Sequence, residues 1–140
     1  MKVRFKDFAG KERLVDLSPF KVDWSAKCLS KFQTNVKKFF HPYWKQHLLF
    51  EEVPLVGTKL RFDFLNMSLR IALEVQGAQH LSYNSFFHKN SEDFEKQLER
   101  DAVKSIFCKK NHLKLVQIFP EDMPLTIERV KVLGINLTNR

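Results

Sequence analysis

Residues 61–64 read RFDF and residues 71–80 read IALEVQGAQH, and these two stretches decide the fold class. Each places one carboxylate, Asp63 or Glu74, within an apolar run that is typical of a buried strand. Two buried carboxylates on adjoining strands are costly, and they repel each other unless a cation lies between them. Mg2+ commonly takes one or two carboxylates together with waters and a substrate phosphate. The pair therefore predicts a site for a divalent cation, Mg2+ or Mn2+.

The composition favours a globular chain with a polyanionic ligand. The 140 residues include 24 Lys and Arg against 16 Asp and Glu, a net charge of +8. Several of the lysines alternate with aromatic residues, as Lys31, Lys37 and Lys38 do, and this pattern is typical of nucleic-acid binding. Excess lysine can also serve solubility alone, so the charge by itself leaves the ligand open.

The same composition bears on the cellular location. No apolar run approaches the ~18 residues of a membrane span, and the first residues lack the apolar segment of a signal peptide. Cys28 and Cys108 are too few for a disulfide framework and lie far apart, without the spacing of a zinc site. We therefore expect a cytoplasmic protein without a membrane partner.

Alternating residues predict three strands in the middle of the chain, over 48–53, 59–65 and 69–76. The last two are expected to form a hairpin. A period of two places Leu60, Phe62 and Phe64 on one face of the second strand and Asp63 on the other. With suitable register, Asp63 and Glu74 then meet on one face of the sheet.

Helix signals flank these strands. Ser30 with Gln33 resembles a capping box, and Pro42 is expected to end or kink the helix that follows. Residues 77–90 are predicted as a loop, and Ser91 as the N-cap of a long helix to about Lys110. The remaining predictions are a hairpin within 1–24, a strand over 113–119 and a helix over 124–133.

This order of elements resembles the core of the PD-(D/E)xK nuclease superfamily. Residues 50–57 (FEEVPLVG), 61–64 (RFDF) and 73–80 (LEVQGAQH) are similar to its very-short-patch-repair-like branch and to small phage endonucleases. Residues 101–104 (DAVK) and 115–118 (LVQI) look like the closing helix and strand of that branch. The resemblance covers about 30–118. It implies an α/β fold with a restriction-endonuclease-like core, in which a mixed central sheet is flanked by helices, within a single domain over 1–140.

The resemblance also implies a function, the metal-dependent hydrolysis of phosphodiester bonds in DNA by an endonuclease. Asp63 and Glu74 would bind Mg2+ or Mn2+, with the Val75 carbonyl as a further ligand. Gln76 would position the water or the phosphate, and His80 and Lys104 would support the catalysis. The residues expected to bind nucleic acid are Lys31, Lys37, Lys38, Arg61, Gln79 and Lys109. Two copies could act on the two strands of a duplex as a homodimer, in the host cytoplasm if a phage encodes the chain.

Two departures from the superfamily pattern keep alternatives open. Gln76 stands where many members carry lysine, and Gln33 stands where the first helix often carries glutamate. Gln76 can hydrogen-bond a water but cannot supply a charge. A catalytically inactive nucleic-acid-binding module on the same fold is therefore the main alternative. A purely structural interpretation is also open, in which Asp63 pairs with Arg61 or Lys59 at the surface and Lys104 pairs with Asp101 on the helix.

Overall fold

The structure is a computed structural model that describes residues 1–77 and 83–137, with the backbone alone over 83–94. The elements in chain order are β1 (Lys2–Lys6), β2 (Glu12–Asp16), α1 (Lys31–Trp44), β3 (Leu49–Pro54), β4 (Arg61–Asn66), β5 (Ile71–Val75), α2 (Tyr83–Lys110), β6 (Lys114–Ile118) and α3 (Ile127–Val132). They form a mixed α/β fold, as the sequence predicts. The predicted N-terminal hairpin is confirmed as the antiparallel pair β1–β2.

The central sheet has four strands in the order β3-β4-β5-β6. The pairs β3–β4 and β4–β5 are antiparallel, which confirms the predicted hairpin. The chain then passes through α2 and returns as β6, which pairs with β5 in parallel. A parallel neighbour needs such a crossover, whereas an antiparallel one needs only a turn. The sheet is therefore mixed.

Two hydrophobic clusters cover the two faces of this sheet. The first, called the α1 cluster, holds Val36, Phe40 and Trp44 of α1 together with Val130 of α3. The second, called the α2 cluster, holds Phe107 and Cys108 of α2, and it also includes Phe5 of the hairpin β1–β2. Helices thus flank the sheet on both sides, and α2 lies on the face opposite α1.

The helix boundaries differ from prediction in three places. Pro42 does not end α1, which continues to Trp44, because a proline so near the C-terminus disturbs only the last turn. The predicted loop is wrong over 83–90, where α2 has already begun, so Ser91 lies inside the helix. Residues 84–90 contain no Gly or Pro to break a helix. The helix predicted to start at 124 instead follows Thr126, whose side chain accepts a hydrogen bond from the Arg129 N–H at 3.0 Å.

Strand β4 departs from regular alternation beside Asp63. Phe62 packs in the α2 cluster and Phe64 in the α1 cluster, so the prediction that they share a face is wrong. The register of β3 and β4 skips Glu52 and Asp63, which lie between the pairs Glu51–Phe64 and Val53–Phe62. The φ of Glu52 is 53°, which belongs to the left-handed region. The two strands are distorted together at this point, and the sequence alternation does not report it.

Within the described residues, no helix combines the length and the apolar character that a membrane crossing requires.

Candidate metal and nucleic-acid site

Asp63 and Glu74 lie opposite each other where β4 and β5 stop pairing through their backbones. The ladder of these strands ends at Phe64 and Leu73, one residue before the two acids. Beyond the end of the ladder, the two carboxylate side chains accept hydrogen bonds from backbone N–H groups of the neighbouring strand. The Asp63 N–H donates to Glu74 Oε2 at 3.0 Å, and the Val75 N–H donates to Asp63 Oδ2 at 2.7 Å. Each carboxylate is thus fixed by the backbone of the neighbouring strand, as the predicted meeting of the two acids requires.

Lys104 supplies the positive charge at this pair. Its Nζ forms an ion pair with Glu74 Oε1, and both side chains are largely buried, with 13% of Lys104 and 7% of Glu74 exposed. Lys104 comes from α2, which packs on the sheet face opposite α1 and contacts β6. Asp101 hydrogen-bonds Gln97 instead, at 3.0 Å, so the reading of Asp101 and Lys104 as a mere surface pair is wrong.

The electrostatics of the pair reflect burial and crowding. Burial is the largest cause that raises the pKa of Glu74, to about 7, and the nearby Asp63 raises it further while Lys104 partly offsets both. Burial also raises the pKa of Asp63, against the lowering effects of the Val75 N–H and Lys104. Lys104 therefore compensates the charges of the half-buried Asp63 and the buried Glu74 incompletely, and the arrangement leaves room for an additional cation.

Gln76 and Val75 continue β5 past the two acids. Val75 is fixed through its N–H on Asp63, and the Gln76 N–H donates to the Ile118 carbonyl at 2.8 Å. The Gln76 side-chain nitrogen Nε2 is buried and has no hydrogen-bond partner among the described residues. An unsatisfied buried donor is costly, so Gln76 offers a hydrogen bond that the described part of the chain leaves unused.

Glu52 is a neighbour of the site that the sequence treats only as a strand-edge charge. Glu52 and Asp63 are both skipped by the β3–β4 register, and the negative charge of Glu52 adds to the rise in the pKa of Asp63. Glu52 Oε2 accepts a hydrogen bond from Gln33 Nε2 at 2.9 Å, and Glu52 Oε1 lies 3.9 Å from Arg61 Nη1. Gln33 of α1 thus reaches the site through its hydrogen bond to Glu52. Arg61 pairs with Glu52, so the alternative in which Arg61 pairs with Asp63 is wrong.

The donor set suits a hard divalent ion that keeps part of its water shell. Among residues 1–77 and the described side chains from 95 onward, no three Asp, Glu, His or Cys side chains lie close enough to hold a metal by themselves. Asp63 and Glu74 would therefore supply two protein ligands, which is the usual number for Mg2+. Water and a phosphate would complete such a site.

The predicted nucleic-acid contacts divide into exposed and buried residues. Lys31, Lys38, Arg61 and Lys109 are exposed, as contact with phosphate requires. Lys37 is buried, and its Nζ bonds the Ala26 carbonyl and Glu51, each at 3.0 Å. The prediction that Lys37 contacts nucleic acid is therefore wrong, because its charge is held in the interior.

Gln79 and His80 lie outside the described residues, so their predicted roles stay predictions.

The fold and the site define a mixed α/β chain with a buried acid pair and one lysine at its strand ends, and comparison with curated proteins finds relatives encoded by viruses. The chain is 38% identical over 79 residues to the uncharacterized protein 094L of Frog virus 3 (isolate Goorha), which is 56% of this chain and 48% of that protein. It is 31% identical over 98 residues to the uncharacterized protein 033L of Invertebrate iridescent virus 3, which is 66% of this chain and 50% of that protein. The chain thus spans about half the length of these relatives. No family model matches the sequence, and no solved structure matches it.

Proposed function

We propose that this chain is a metal-dependent endonuclease of the PD-(D/E)xK type that hydrolyses phosphodiester bonds in DNA. The observation that carries the proposal is the pair of the half-buried Asp63 and the buried Glu74, whose carboxylates each accept a hydrogen bond from the backbone of the neighbouring strand and are only partly compensated by Lys104. A buried acid pair with a lysine at strand ends is a costly arrangement for stability alone. It suits a site where a cation and a phosphate meet.

The residues take the following roles in this proposal. Asp63 and Glu74 hold Mg2+ or Mn2+, and the Val75 carbonyl is a further proposed ligand. Such an ion, when bound, polarises a phosphoryl oxygen and lowers the pKa of its water. Lys104 places its ammonium beside the carboxylates, where it neutralises charge on a bound phosphate. The unused N–H of Gln76 donates to the water or to a phosphate oxygen.

The proposal is tested by incubating the purified chain with supercoiled plasmid and Mg2+ or Mn2+, beside an EDTA control. We expect nicked or linear plasmid that requires the metal and that disappears in the Asp63→Asn/Glu74→Gln double variant. Glu121→Gln, at an exposed carboxylate, is the matched control and should keep the activity. Metal-dependent product of equal yield from the double variant would refute the assignment of the site.

The second candidate is a nucleic-acid-binding module that does not cleave. Gln76 favours it, because this side chain cannot supply the positive charge that lysine brings at the same position in many superfamily members. The module would bind DNA with a salt-dependent affinity and give no product from plasmid, branched or mismatched substrates at any metal concentration. The two candidates therefore separate on cleavage alone.

DNA binding by the first turns of α1 gives a prediction that both candidates share. DNA binding weakens with salt, and a plot of log K against log[salt] has a negative slope. Lys31→Gln and Lys38→Gln should each make this slope less steep by about 1, since each lysine that contacts a phosphate releases about one counterion. Lys11→Gln, an exposed lysine in the turn of the N-terminal hairpin, is the control and should leave the slope unchanged. Fluorescence anisotropy of labelled DNA over a series of salt concentrations measures the binding constants from which the slope is obtained. Equal slopes for all three variants would remove α1 from the interface.

Two further proposals concern the setting of the activity. Two copies of the chain would cut the two strands of a duplex as a homodimer. The relatives named above are viral, and we propose that the protein acts in the cytoplasm of an infected host cell.

A further inference from the structure

We propose that the open pocket at the adjoining ends of β3 and β4 binds one unpaired nucleotide of the DNA, next to the bond that is cut. The inference rests on the proposed nuclease function and gives it a substrate class, DNA with an unpaired nucleotide. The pocket has a volume of about 310 Å3. Its walls include Phe20, Glu52, Pro54, Lys59, Leu60 and Arg61.

The register of β3 and β4 places this pocket one step from the acid pair. Pro54 lies opposite Arg61, and Asp63 lies two residues further along β4, between the residues that pair with Val53 and Glu51. Two residues span about 7 Å of strand, which is comparable to the separation of successive phosphates in an extended DNA strand. A phosphate held at Asp63 would thus have its neighbouring nucleotide at the pocket.

The pocket combines apolar walls with two cations, the chemistry that suits a base and its phosphate. Phe20 is partly buried against the α2 cluster, as Leu60 is, and both line the pocket. Lys59 is exposed, and 60% of the Arg61 side chain is exposed. The contact between Arg61 and Glu52 is long, at 3.9 Å, and such an exposed pair is weak, so Arg61 can turn to a phosphate at little cost.

The aromatic wall decides in favour of an unpaired nucleotide. A base within a duplex has both faces covered by its neighbours, so Phe20 can stack only on a base that has left the helical stack. Such stacking tolerates any base, because every base has a π face. The pocket therefore selects the structure of the DNA and not its sequence.

The test compares two DNA probes bound to the wild-type chain in EDTA, where no cleavage interferes. One is a blunt duplex, and the other is the same duplex with one unpaired 2-aminopurine nucleotide. We expect tighter binding of the second probe and protection of its 2-aminopurine from quenching by acrylamide. Phe20→Leu, which keeps an apolar side chain without the aromatic face, should weaken binding of the unpaired probe by about 5- to 100-fold and leave the blunt duplex unaffected.

Controls make the outcome specific to the pocket. Phe8→Leu changes an exposed phenylalanine of the N-terminal hairpin and should alter neither affinity. Arg61→Gln should weaken binding of the unpaired probe more than that of the blunt duplex. If Phe20→Leu fails to fold, the protection from acrylamide in the wild type and the comparison of Arg61→Gln on the two probes test whether the pocket binds the unpaired nucleotide. Equal affinity of the wild type for both probes, or an equal loss on both in Phe20→Leu, would overturn the proposal.

The two proposals fail in different ways. Plasmid cleavage without a preference for the unpaired probe would refute the pocket and leave the nuclease standing. A preference that Phe20→Leu removes, in a chain that cleaves nothing, would support the pocket and refute the nuclease.

Discussion

Replacing Lys104 with methionine is expected to lower the free energy of unfolding by about 3–5 kcal/mol when no divalent metal is present. Lys104 and Glu74 are both largely buried, and Lys104 is the basic group paired with Glu74. Methionine keeps most of the volume of the side chain and removes its charge. The buried acids would then face each other without the cation, a cost far above that of losing a surface pair. Denaturant titration in EDTA measures the change.

Two comparisons attribute the loss to charge. Lys109→Met, on the exposed surface of the same helix, should change stability little. The double variant Lys104→Met/Glu74→Gln should regain most of the loss, because it removes the charge that lacks a partner. Mg2+ should stabilise Lys104→Met more than it stabilises the wild type, since the ion would take the place of the ammonium. A Lys104→Met chain as stable as the wild type in EDTA would contradict the assigned ion pair.

Stability in EDTA is expected to fall as the pH rises from about 4.5 to about 7. The folded chain holds the pKa of Glu74 at about 7, against an ordinary value of 4.5. Between these values the folded state binds more protons than the unfolded state, so the free energy of unfolding decreases with pH. The contribution of Glu74 is fully present below 4.5 and lost above 7, and its size is about 3 kcal/mol by the relation between pKa and free energy.

Glu74→Gln isolates this contribution. The variant cannot titrate at position 74, so its stability should vary less with pH over the same window, although Lys104 loses its partner at every pH. Thermal or denaturant unfolding of both chains at several pH values gives the comparison. Mg2+ should also flatten the wild-type curve, because an ion on the carboxylates opposes their protonation. A wild-type stability that rises through this window would contradict the raised pKa.

The sequence predicts the acid pair because its determinants are local. Asp63 and Glu74 belong to adjacent strands joined by a short turn, so the hairpin register brings them together even though the alternation of β4 is broken beside Asp63. Only the resemblance to nucleases predicts that Lys104 lies near the two acids, because the sequence of α2 does not indicate which strand the helix packs against. The fold class follows in the same way, from hairpins and a helical crossover that are visible in the sequence.

The remaining features depend on contacts between distant residues or on the backbone. Glu52 has a positive φ, and glutamate at this position does not predict such a backbone conformation. Lys37 is buried because Glu51 and the Ala26 carbonyl receive its charge, whereas an unpaired lysine would stay on the surface. The early start of α2 reflects the absence of a helix breaker before Ser91, where a cap residue alone is a weak marker.

The crossover between β5 and β6 has a consequence for the order in which the site acquires its charges. β3, β4 and β5 join through short connections, so their pairing requires little loop closure, whereas β6 and α2 join only once residues 76–113 are in place. We therefore expect the folding chain to bring Asp63 and Glu74 together before Lys104 arrives. During that interval water solvates both carboxylates, and their burial is complete only when the helix and its ammonium arrive. The closing of the helix is then coupled to the uptake of a proton by Glu74 between about pH 4.5 and 7, where the folded chain binds more protons than the unfolded chain.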